Sequence, residues 1–421
     1  MQYSITQYPI LRAQFPSQPT ALLQEALASH RRASALEPAN NDVLFNTAQV
    51  LSSLVAAIDE AGVNNTNLDP SALLEEAIAL FQRCLAQQEL DYEQALAQAA
   101  NYSAEDPGGV ALSGDDNNKD DLIMTSPTAE EDQWAVIVEP VTMQTLLDTA
   151  CALLDTLAQA CTLLAPTSPT SLKSLESMAQ SLINDKINAY MQNVDAPAQR
   201  DAWLVKAHYA TALLEASYRA GVIVAQHYEQ SLTNIFELAT GHTTDLRQSA
   251  GYLLSYADAL VALNGSLAES NAEPNMRWRS LVKALDMLLA ATKAPDAEML
   301  PSIHAFRGDV ELLRLMVIAA PGLPETLSND KVKATLLKNA ETYYRGAVAV
   351  SLSSISWSQS SIVLQAKVKR AVVEAFIGTS INPLRQLIQQ GTARQTVVDV
   401  VTDMADESLI TEEQKQQILA V

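Results

Sequence analysis

The chain has 421 residues, of which 64 are alanine, 13 are glycine and 5% are aromatic; closely packed helices use this balance, and sheets built on branched and aromatic side chains do not. A formal net charge of −22 sets the surface as a whole against bare nucleic acid and anionic membranes, and favours a basic protein or peptide as partner. Three scattered cysteines, Cys84, Cys151 and Cys161, exclude a disulfide framework and a CxxC metal site and point to a reducing compartment.

The first residues lack the charged and apolar halves of a signal peptide, and no run reaches about 18 consecutive apolar residues, so the expectation is a cytoplasmic or nuclear protein without a membrane span. Three- and four-residue apolar spacing predicts helices over 20–37, 41–58 and 70–100. Residues 101–133 then hold nine acidic residues against the single cation Lys119, too little apolar surface to offset ordering entropy. This interval is expected to be a flexible acidic loop dividing a helical region, 1–100, from a larger helical array, 134–421. Within the array, "WAVIVEP" (134–140) suits an extended segment laid on helices. Helical spacing resumes over 141–165, 171–192, 200–220, 222–240, 245–264, 275–292, 300–319, 330–350, 360–377, 382–390, 394–405 and 411–420.

One stripe recurs in these helices. Ala77, Phe81 and Cys84 stand at i, i+4 and i+7, as do Ala284, Leu288 and Ala291, and again Ala340, Tyr344 and Ala347; Ala26, His30 and Ala33 form a weaker copy. A small residue admits a neighbouring helix closely and the large one fills the space beyond, which suits antiparallel pairs stacked on further pairs. The preceding helices carry complementary faces, Leu44, Ala48 and Leu51 in one and Leu253, Tyr256, Ala257 and Leu260 in another.

In these residues, and in Pro38 closing "ALASHRRASALEP", the chain resembles the tetratricopeptide-repeat superfamily over about half its length. It departs from that pattern at Thr47, in the long 44–81 spacing, and at Glu89 where proline is expected. The resemblance implies an all-α fold, a right-handed superhelical array of antiparallel helix pairs. It also implies a concave groove lined by the first helix of each pair, with Asp42, Phe45, Gln49, Leu254 and Asp258 as lining candidates.

Motifs for chemistry are absent: there is no GxGxxG, Walker loop, GxSxG or HExxH, and the five histidines never take metal-binding helical spacing. "DDNNKDD" (115–121) places Asp121 where a calcium loop needs glycine, and "HRRAS" (30–34) and "KVKR" (367–370) read as helix surface. The expectation is therefore a non-enzymatic scaffold or assembly chaperone without cofactor or metal, holding a basic, ribosomal or other nucleic-acid-binding client in an acidic groove. A structural or adaptor subunit is the alternative. A heat-shock cochaperone lacks its carboxylate clamp, since Phe45 and Gln49, or Leu254 and Asp258, stand at the Lys and Asn positions, and a helical enzyme has no residue cluster to support it.

Overall fold

The computed structural model describes residues 19–61, 68–104, 140–164, 169–238, 246–270, 273–297, 299–351, 357–378 and 380–420, and all regular structure among them is helical. The helices are α1 (Pro19–Leu36), α2 (Asn41–Ala61), α3 (Pro70–Ala104), α4 (Met143–Leu163), α5 (Pro169–Ser181), α6 (Ala196–Arg219), α7 (Ala225–Thr233), α8 (Ala250–Glu269) and α9 (Pro274–Ala291). They continue as α10 (Leu300–Ile318), α11 (Asp330–Ser351), α12 (Trp357–Gly378), α13 (Asn382–Gln389), α14 (Arg394–Asp406) and α15 (Glu412–Leu419). After α5 and α7 the chain winds on through π-helical stretches, Leu182–Ile187 and Asn234–Leu238. Residues 105–139 lie outside the described part, so the acidic interval, "DDNNKDD" and most of "WAVIVEP" are not described; residues 101–104 close α3.

Local signals account for the helix starts. Thr142 and Thr145 close a capping box on α4, Thr411 and Gln414 another on α15, and Asp195 caps α6 ahead of Pro197. The departures noted in the sequence are accommodated locally. Thr47 is buried, and its hydroxyl donates to the Val43 carbonyl at 2.6 Å, which satisfies the polar atom inside an apolar face. Glu89 accepts two bonds of 2.7 Å from Lys186, and α3 runs on past it for four more turns.

Consecutive helices pack as antiparallel pairs. In α2 and α3, Phe45 meets Phe81 with ring centroids 5.5 Å apart, and the Cys84 thiol donates to the Asn41 carbonyl at 3.4 Å. In α10 and α11, Arg307 stacks on Tyr343 at 4.0 Å and Asn339 donates to Glu311 at 2.9 Å. The three stripes lie in the core: Ala77, Phe81, Cys84, Ala284, Leu288, Ala291, Ala340, Tyr344 and Ala347 are all buried. Gly308 shows why a small partner is needed, since a Cβ there would lie 2.5 Å from the Tyr344 ring. Ala26, His30 and Ala33 of the weaker copy are only half-buried.

A second set of contacts joins alternate helices, which run parallel. Ser52 of α2 meets Thr156 of α4 at 3.2 Å, Asp155 of α4 meets His208 of α6 at 2.9 Å, and Arg219 of α6 bonds the Cys161 and Thr162 carbonyls at the far end of α4. Tyr218 of α6 meets Ser270 just beyond α8 at 3.1 Å. The apolar core forms two clusters that divide at α6: Ala202, Tyr209, Ala212 and Ala216 close the cluster begun by α1–α5, and Ala207 opens the one that runs to α15. Helices on the two sides of the acidic interval therefore share a core, α3 packing directly on α4. Among the described residues α4 alone is long and apolar enough to cross a membrane, and here most of it is buried between protein neighbours.

Candidate functional site

Three parallel neighbours, α4, α6 and α8, carry polar side chains on matching positions. On α4 these are Asp148 and Asp155; on α6, seven residues apart again, Asp201 and His208; on α8, Asp258. Two turns of helix separate the members of each pair, so they share a stripe. The parallel packing sets Asp148 beside Asp201, and Asp155 beside His208, with the charge of Asp258 also acting on His208.

The carboxyls of the row are shifted by their surroundings. Asp201 and Asp258 are exposed to solvent, yet the crowding of protein around each raises its carboxyl pKa. Burial raises Asp148 likewise, with Gln144 opposing through a bond of 2.7 Å and the charge of Asp201 adding. The hydrogen bond to Asp155 raises the His208 pKa, burial opposes it, and the charges of Asp155 and Asp258 add. The one thiol nearby, Cys151, is pushed up to about 12 by burial and then by Asp148 and Asp155, which leaves it protonated and a poor nucleophile.

The row continues to α2. Gln49, Ser52 and Ser53 of α2 and Asp155, Thr156 and Gln159 of α4 line a cleft of about 70 Å³ floored by Phe81. The side-chain amide oxygen Oε1 of Gln159 is buried and has no hydrogen-bond partner among the described residues. A wider, shallower hollow of about 400 Å³ lies along α5 alone, between Lys173 and Asp185, open and lined by residues of that helix and its π-helical extension.

The sequence candidates fall unevenly on this surface. Gln49 lines the cleft and Asp258 ends the row. Asp42 is exposed at the first turn of α2, its backbone amide bonded to Asn40 and its charge acting on Cys84 of α3. Phe45 turns edge-on to Phe81, and Leu254 packs half-buried on the second core cluster. Asp148, Asp155, Asp201 and His208 were not among the candidates; the signal for them was the repeated seven-residue spacing of polar residues within otherwise apolar helices.

The chain matches no family model, no curated protein and no solved structure.

Charge is handled differently at α10–α12. Lys369 is 8% exposed and lies 2.9 Å from Asp309 and 3.3 Å from Glu407, while Tyr344 donates to Asp309 at 2.7 Å. Burial works against the Lys369 ammonium, but Asp309 and Glu407 outweigh it and hold it charged. Buried Glu341 meets Lys338, Arg345 and Arg370 within 3.4 Å, and buried Glu311 pairs with Arg314 at 2.8 Å. These charges pair with one another, and among the described residues no group of three or more His, Cys, Asp or Glu is placed to hold a metal ion.

Proposed function

We propose that this chain is a non-enzymatic protein-interaction scaffold or assembly chaperone that holds a basic segment of a partner along the row Asp148, Asp155, Asp201 and Asp258. The reading rests on one observation: three parallel, adjacent helices carry carboxylates at matching positions, with His208 bonded to Asp155 at 2.9 Å among them. Lysine and arginine side chains reaching this row meet a field that strengthens as water leaves. The net charge of −22 favours the same partners at a distance. A client that itself binds nucleic acid fits this chemistry, being rich in both cations.

The alternation of antiparallel pairs with parallel second neighbours supports an α-solenoid of the tetratricopeptide-like kind, in which α2, α4, α6 and α8 supply the inner wall. The test is affinity purification of partners from extract at low and high salt. Basic proteins recovered at about 50 mM salt and lost at about 500 mM support the reading; retention of partners regardless of salt overturns its electrostatic part.

A second reading, an adaptor subunit docking a folded neighbour, is favoured by α3. This helix has 35 residues against the 21 of α2, and its overhang exposes Leu90 and Leu96.

A further inference from the structure

The proposed groove already contains a titratable base of its own. His208 projects from α6 with its side chain 57% exposed, and its Nδ1 lies 2.9 Å from Asp155 of α4. The charge of Asp258 on α8, which packs on α6, also acts on the ring. On α6 itself, Asp201 lies two turns away and the Lys206 ammonium is engaged with the Asn188 side chain at 2.8 Å. On α4, Asp148 and the protonated Cys151 thiol lie one to two turns away, and α2 contributes only uncharged Gln49, Ser52 and Ser53 at the adjoining cleft. An imidazolium here occupies the position that a partner's lysine or arginine would take.

We propose that His208 is an internal placeholder for the partner's basic side chain: as imidazolium it neutralises Asp155 and Asp258 and closes the groove, and as neutral imidazole it leaves both carboxylates to the incoming cation. This inference rests on the groove reading above. Binding then expels one proton from the imidazolium to solvent, while the neutral ring keeps Nδ1–H as donor to Asp155. The hydrogen bond and the two flanking charges favour the charged ring, so the exchange falls above the ordinary histidine range. Affinity for a basic segment therefore rises with pH through the His208 titration, opposite to what loss of positive charge on the ligand would give.

The experiment measures binding of a synthetic decalysine peptide to the full chain at pH 6 and pH 8, at one low ionic strength, by fluorescence anisotropy. The wild type is expected to bind up to about tenfold tighter per pH unit across the His208 titration. His208→Gln is expected to bind tightly at both pH values, and His208→Arg weakly at both. Because the ring is mostly exposed, both variants are expected to fold, with circular dichroism as the check. If His208→Gln retains the pH dependence, or His208→Arg binds as tightly as wild type at pH 8, the placeholder is overturned while the groove stands. No decalysine binding at either pH overturns the groove and the placeholder together.

Discussion

The row on α4, α6 and α8 and the network centred on α10, α11 and α12 both set ionisable side chains on neighbouring helices, and they put them to opposite ends. In the network each carboxylate is matched by a cation: half-buried Asp309 and exposed Glu407 by buried Lys369, buried Glu311 by Arg314, and buried Glu341 by three cations. In the row, Asp201 and Asp258 remain open to solvent; Arg200 acts on Asp201, while His208 bonds Asp155 and acts on Asp258. Matched charge fixes helices to one another, whereas surplus charge is available to a partner. The difference therefore separates a region of matched charge from the region proposed to hold a partner.

The comparison breaks most visibly at Lys369. Lys369→Ala leaves half-buried Asp309 with Tyr344 as its hydrogen-bond partner but without its cation, and empties a buried site, and is expected to cost about 3 kcal/mol in urea unfolding. Asp155→Asn, with a partner that is mostly exposed, is expected to cost under about 1 kcal/mol. Equal losses at the two sites would erase the distinction. Next in size is Gly308→Ala, which drives a methyl into the Tyr344 ring and is expected to destabilise by about 1–3 kcal/mol. Tyr344→Leu in the same chain, by making room, should recover part of that loss; an unchanged melting temperature for Gly308→Ala alone would contradict the packing.

The smallest effect is on pH. His208 has its folded pKa raised, so the stability it contributes is fully present below the unfolded value near 6.5 and is lost as pH rises through the folded pKa. Thermal unfolding of wild type and His208→Gln should therefore converge above the folded pKa and diverge below about pH 6.5, wild type being the more stable. A gap that widens with rising pH would reverse the assigned sign.

The helices and their pairing were legible in the sequence because they depend on local spacing. The stripes Ala77–Phe81–Cys84, Ala284–Leu288–Ala291 and Ala340–Tyr344–Ala347 need only a 3.6-residue period to be seen, and all nine residues are buried. Gly308 was not singled out because its role appears only when Tyr344 stands across from it. The row was legible only in part. Gln49 and Asp258 follow from counting along the first helix of a pair, whereas Asp155 and His208 meet across 53 residues through the parallel packing of α4 on α6. Periodicity carries no information about which face of one helix meets which face of another so far along the chain. Phe45 shows the converse, a side chain counted toward the groove whose apolar ring packs edge-on against Phe81.

The most direct test of the account is the salt dependence of decalysine affinity at pH 8 for wild type and for the double variant Asp155→Asn, Asp258→Asn. The account predicts a steep fall of wild-type affinity with salt, and for the variant a weaker affinity with a visibly shallower slope, its melting temperature nearly unchanged. A double variant that binds decalysine with the wild-type affinity and slope would contradict it.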